Sequence, residues 1–101
     1  MNKKFRLTLF VTGQTPRSER SIRNLQRICA EELQGTYEMT VIDVVEQPQL
    51  AEDLKILATP TLVKELPPPL RRVIGDLSDT EKVLLGLDIS RVDGFNKETG
   101  K

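Results

Sequence analysis

Residues 56–69 read Ile-Leu-Ala-Thr-Pro-Thr-Leu-Val-Lys-Glu-Leu-Pro-Pro-Pro, and residues 83–89 read Val-Leu-Leu-Gly-Leu-Asp-Ile. The first stretch is a Thr59-Pro60 turn leading into a strand, Thr61 to Leu66. Pro67, Pro68 and Pro69 end that strand because proline has no N–H to give to a ladder. Thr59-Pro60 can be cis or trans, and each proline of the triplet adds another slowly exchanging bond. Thr59-Pro60 therefore has two readings: a locked bond that shapes the turn, or a bond whose isomerisation gates a conformational change. The second stretch carries no clear helical stripe and fits helix or strand. Ser78 and Glu81 form a capping box that favours helix, whereas the terminal β-branched Ile89 tolerates strand. Gly86 costs a helix about 1 kcal/mol relative to alanine, unless it serves a close packing contact. Local signals usually agree in a small domain. Their conflict here reads as a switch more than as an active site.

Working outward, Phe5-Arg6-Leu7-Thr8-Leu9-Phe10-Val11 alternates and then turns apolar, a strand with one buried face. Gly13-Gln14-Thr15-Pro16 ends it. Thr15 is a helix N-cap with Pro16 at the first helical position, and Ser18 is an alternative cap. Ile22, Leu25, Ile28, Cys29 and Leu33 follow helical spacing, and Gly35 closes the helix. Tyr37 to Val45 is a β-branched second strand, parallel to the first in a βαβ unit. Gln47-Pro48 opens a second helix. Arg71 to Asp76 is a fourth strand, and the capping box starts the last helix. Residues 1–90 form one domain, and 91–101 form a short polar tail expected to fray.

The 15 basic and 15 acidic side chains cancel, which argues against nucleic-acid binding. No apolar run approaches the ~18 residues of a membrane span, and the charged start of the chain runs straight into a strand, unlike a signal peptide. A cytoplasmic protein is expected. The chain has no His, so the usual general base and the commonest transition-metal ligand are missing. Cys29 is the single cysteine and can form neither an internal disulfide nor a Cys-x-x-Cys pair. Its helical neighbours Leu25 and Ile28 suggest a small buried hydrophobe. Lys64, Arg71 and Arg72 form a small basic cluster read as a solvated face. Asp43, Glu46, Glu52 and Asp53 show no metal-ligand spacing. No catalytic residue, cofactor or metal is expected.

The order β-α-β-α-β-β-α, with a proline just before strand three, resembles the α/β thioredoxin-like arrangement. Redox members of that fold carry Cys-x-x-Cys where strand one meets helix one. The same junction here, Gly13 to Ser18, contains no sulfur and cannot supply a thiolate.

Residues 5–89 also resemble the KaiB family, small clock proteins that work with the ATPase KaiC. The match rests on Val41-Ile42-Asp43-Val44, Pro48-Gln49-Leu50-Ala51-Glu52, Lys55 to Leu62, Leu66-Pro67-Pro68-Pro69, Arg71-Arg72, Ile74 to Ser78, and Glu81 to Leu84 with Gly86-Leu87-Asp88. The resemblance implies a non-enzymatic regulator with two folds. One is a ground state, a homotetramer or dimer, in which the C-terminal half is rearranged. The other is a thioredoxin-like monomer that docks on the N-terminal ring of a KaiC hexamer, then recruits KaiA or displaces a clock histidine kinase. It also implies that Arg20 and Lys55 contact partners and that Gly86 and Asp88 bias the fold. The fold-switch set is then Thr59, Pro60, Pro67, Pro68, Pro69, Gly86 and Asp88. Glu38 and Thr40, on the partner-facing second strand, replace a small residue and a lysine of the oscillator proteins and bear on contact with KaiA. A mixed tail replaces the family's acidic one, and Arg91 stands where an aromatic is frequent. A stress or interaction module without a clock role is the alternative of a different class. A detached kinase sensor domain is a third reading, which the proline triplet and Gly86-Leu87-Asp88 disfavour.

Overall fold

A computed structural model describes residues 5–89, so the tail expected over 91–101 lies outside the described residues. Four strands, β1 (Phe5–Val11), β2 (Tyr37–Asp43), β3 (Thr61–Leu66) and β4 (Arg71–Ile74), form one sheet in the order β2-β1-β3-β4. β2 runs parallel to β1, with Leu9 opposite Val41; β3 and β4 are antiparallel additions, with Leu9 opposite Leu62 and Leu62 opposite Val73. The thioredoxin-like α/β arrangement expected from the element order is the fold observed. The parallel pair needs a crossover, supplied by helix α1 (Pro16–Ile28). Helices α2 (Pro48–Asp53) and α3 (Thr80–Gly86) follow β2 and β4.

Alternation along β1 sends Leu7, Leu9 and Val11 to one face. There they meet Leu62, Leu25, Ile28, Cys29 and Leu33 from the first crossover, and Leu77, Val83, Leu84 and Leu87 from the last segment. α1 and α3 therefore share one face of the sheet. Phe10 and Val63, one residue out of phase, are buried on the other face, and Ala51 of α2 is also buried. Burying a Leu or Val side chain contributes roughly 1.5–3 kcal/mol each, so this core is the main term holding the sheet to α1 and α3.

Thr15 caps α1 as its sequence suggests: its Oγ1 accepts from Ser18 N at 3.1 Å, and Pro16 fills the first turn. The helix does not run unbroken to Gly35. At Cys29–Leu33 it widens into a π-helical turn, and Gln34 is already left-handed at φ 51° before Gly35 at 86°. The Ser78–Glu81 capping box is also corrected. Asp79 is the cap of α3, its Oδ1 accepting from Lys82 N at 3.2 Å. A carboxylate is favourable at that end of the helix dipole. β2 stops at Asp43, not Val45, and β4 at Ile74, not Asp76. Asp43 Oδ1 accepts from Gly13 N at 3.1 Å and Val45 N at 2.9 Å, which turns the chain out of the ladder.

Lys64 is the largest departure from expectation. It lies two residues beyond Leu62 and faces the helix-covered side, where it is 2% exposed. Its Nζ donates to Pro67 O at 2.9 Å. The basic cluster therefore consists of Arg71 and Arg72 alone, with Lys64 pinning the proline turn from inside. A buried ammonium persists only when it is hydrogen-bonded, and the Pro67 carbonyl supplies that bond.

Candidate interaction surface

The junction where β1 meets α1 contains Thr12, Gly13, Gln14, Thr15 and Pro16. Across it lies Thr59, whose Oγ1 is 2.6 Å from Thr12 Oγ1, next to buried Pro60. Two hydroxyls, and no sulfur, meet at this junction. The one sulfhydryl, Cys29, begins the turn after α1, about 20 Å along the helix from Pro16 at 1.5 Å per residue. It is fully buried, and that burial pushes its thiol up to about 12. The thiolate is the reactive form, and it is absent at neutral pH. Insulin reduction should show no turnover above buffer, and Cys29 should resist thiol reagents until the chain unfolds; turnover retained in Cys29→Ser would contradict this. Between 9 and about 12 the unfolded chain loses the Cys29 proton while the folded chain keeps it. Stability should therefore fall as pH rises through that window, and Cys29→Ala should remove that part of the fall.

The partner-binding residues singled out in the sequence fall in three places. Glu38 and Thr40 are exposed on β2, an edge of the sheet, two residues apart and so on one face. Glu38 Oε1 is 3.7 Å from Arg6 Nε, its cross-strand neighbour on β1. Both groups are half-exposed, so this pair contributes little stability. Lys55 and Thr59 line a groove of about 590 Å³ with Thr12, Val44, Ala51 and Leu57. Lys55 is left-handed at φ 58°, which turns the chain out of α2, and its carbonyl accepts from Arg72 Nη1 at 3.1 Å. Leu57 beside it is 93% exposed, which no pattern in the sequence announces. Arg20 lies elsewhere, on α1, where Nη1 is 3.6 Å from Asp76 Oδ2. Ser78's hydroxyl and N–H hold the Asp76 carboxyl below its usual range, with Arg20 and Arg17 adding to the effect.

The peptide bonds before Pro60, Pro67 and Pro69 are cis, whereas Pro68 follows a trans bond. Gly86 is the last residue of α3, and Asp88 follows at φ 59°. Asp88 N donates to Leu85 O at 3.1 Å and Ile89 N to Leu84 O at 2.9 Å. That pair of bonds is a Schellman motif, with Asp88 at the position glycine normally fills. Ile89 packs against the core that contains Leu84, completing its hydrophobic contact. Gly86 does serve a packing contact: a Cβ there would stand 2.6 Å from Val73 Cγ2. Alanine would thus gain helix propensity but displace a β-branched side chain that is stiff at χ1.

A thioredoxin-like domain with its redox pair absent and a strained C-terminal helix is what the fold and these sites define. A family profile described as the KaiB domain matches residues 8–89. The chain belongs to the KaiB family. It is 60% identical over 83 residues to the circadian clock protein KaiB3 of Synechocystis sp., covering 82% of this chain and 81% of that one. It is likewise 60% identical over 87 residues to the circadian clock oscillator protein KaiB of Microcystis aeruginosa, covering 86% and 84%. Among solved structures, the N-terminal domain of Synechococcus elongatus SasA superposes with a TM-score of 0.71 at 29% identity, over 87% of each chain. Mitochondrial thioredoxin 3 of Saccharomyces cerevisiae reaches a TM-score of 0.68 at 17% identity, over 85% of this chain and 78% of that one, a likeness of fold alone. No helix among the described residues is long and apolar enough to cross a membrane.

Proposed function

We propose that this chain is a non-enzymatic circadian clock regulator. In this reading its thioredoxin-like form binds the N-terminal ring of a KaiC-type ATPase hexamer and modulates the ring's phosphorylation cycle. The observation that carries the reading is the match to the KaiB domain over residues 8–89. The likeness to the SasA N-terminal domain supports it. The buried, unreactive Cys29 supports binding over thiol chemistry. Arg20 and Lys55 are the cations of the partner surface, and Glu38 and Thr40 on β2 bear on contact with KaiA.

The fold switch belongs to the same proposal. The ground-state fold is an oligomer, a tetramer or dimer, with the C-terminal half rearranged, and the thioredoxin-like form is a monomer. Thr59, Pro60, Pro67, Pro68 and Pro69 frame the switching half, and Gly86 and Asp88 bias it. The bias has a physical support: Leu77 and Asp88, at φ 66° and 59°, place left-handed non-glycine residues on both sides of α3. Such residues cost free energy and persist only where the surroundings over-determine them, so this geometry of the last segment depends on its packing. Where only a fraction of the chain is competent, apparent affinity drops by that fraction.

The test is a pulldown of the chain with an assembled KaiC-type hexamer, in parallel with the isolated N-terminal ring and the isolated C-terminal ring. Retention by the hexamer and the N-terminal ring is expected. Failure to bind any KaiC relative would leave the alternative, an interaction module without a clock role.

A further inference from the structure

Arg20, Asn24 and Arg27 lie three or four residues apart and share one face of α1. All three reach the stretch from Asp76, just after β4, to Thr80, the first residue of α3. Arg20 Nη1 stands 3.6 Å from Asp76 Oδ2, Asn24 Nδ2 donates to Asp76 O at 2.8 Å, and Arg27 Nη1 donates to Thr80 Oγ1 at 3.2 Å. Arg27 Nη2 also donates to Asn24 Oδ1 at 3.5 Å, its Nη1 stands 3.7 Å from Glu31 Oε1, and Arg20 and Asn24 meet on Asp76.

The gripped segment is one that needs gripping. Gly75 and Leu77 bracket Asp76 at φ 127° and 66°, and a leucine with positive φ is a backbone outlier. α3 beyond it has seven residues, too few to persist as an isolated helix. Its other end closes on left-handed Asp88.

We propose that the Arg20–Asn24–Arg27 face of α1 is a clasp that holds residues 76–89 closed against the core, so that this segment opens as a unit separately from the sheet. The clasp acts through the Asp76 carboxylate, the Asp76 carbonyl and the Thr80 hydroxyl, not through the apolar contacts of Leu77, Val83, Leu84 and Leu87. It stands or falls independently of any ring partner. It also gives Arg20 a task inside the chain, so any anion that engages Arg20 from outside competes with Asp76 and loosens the same segment.

Native-state amide hydrogen exchange on the full chain tests this, because local opening and global unfolding separate by amide. Asn24→Ala is the decisive variant. Alanine is the better helix former, so the change strengthens α1 while cutting the clasp. Protection of the Val83, Leu87 and Ile89 amides should fall about five- to tenfold, the loss expected for one partly buried hydrogen bond. Protection of Leu9 and Leu62 should hold or rise. Arg27→Ala should give the same pattern more weakly. Arg23→Ala, at a residue bonded to neither Asp76 nor Thr80, should change neither set. Protection in residues 83–89 that stays within about twofold of wild type in Asn24→Ala would overturn the clasp. An equal fall in β1, β3 and α3 would overturn the separate unit.

Discussion

Leu87→Ala should undock the last helix and strongly destabilise the thioredoxin-like form. Leu87 is 1% exposed and caps the C-terminus of α3 inside the core. Truncating a buried leucine to alanine costs about 2–5 kcal/mol through lost transfer energy and the cavity left behind. A helix of seven residues has no stability of its own to offset that. The melting temperature of the thioredoxin-like form should fall by roughly 10 °C or more, at about 4–8 °C per kcal/mol for a domain of this size. A loss under about 1 kcal/mol would mean that α3 is not packed as described. In a chain with a second fold that does not bury Leu87 in this way, the same change moves the population toward that fold, because only a differential effect shifts an equilibrium.

Asp88→Gly should act in the opposite direction. Asp88 is left-handed at the C′ position of a Schellman motif, where glycine escapes a cost of roughly 1 kcal/mol. Its carboxylate also sits at the negative end of the helix dipole, unfavourable by a few tenths of a kcal/mol. Glycine adds freedom to the unfolded chain, which offsets part of the gain, so a net stabilisation of about 0.5–1 kcal/mol is expected. Asp88→Asn removes the charge and keeps the backbone preference, so it should gain only the dipole part. Asp88→Arg should gain charge but lose left-handed tolerance, and should fall short of glycine. Denaturant midpoints across the series measure this. A ranking with arginine above glycine would show that charge, not backbone geometry, sets the preference of this site. Gly86→Ala is the less clean probe, because its helical gain is opposed by Val73.

Much of the fold could be read from the chain because its signals were local. Thr15-Pro16 has one helix-start chemistry, and the Leu66-Pro67 boundary ends β3 at the residue expected. Local signals also misled. Ser78 and Asp79 both suit an N-cap, and only the backbone path decides that Asp79 takes the role. The π-helical turn at Cys29–Leu33 leaves the apolar spacing nearly helical, so periodicity cannot report it. Lys64 is legible in the strand: two residues after Leu62 is the same face, so alternation places it apart from Arg71 and Arg72. The site was less legible than the fold. Arg20 meets Asp76, and Asn24 meets its carbonyl, across more than fifty residues, a proximity that no local pattern encodes. The Schellman end of α3 was hidden because aspartate, not glycine, fills its left-handed position.

Binding of wild type, Asp88→Gly and Leu87→Ala to one immobilised KaiC-type hexamer tests the central claim most directly. If the thioredoxin-like form is the one that docks, affinity follows the stability of α3. Asp88→Gly should bind at least as tightly as wild type, and Leu87→Ala should bind more weakly by tenfold or more, since each 1.4 kcal/mol lost from the competent form lowers its population about tenfold once the other form dominates. A wild-type chain that fails to bind, or a Leu87→Ala chain that binds as tightly as wild type, would contradict it.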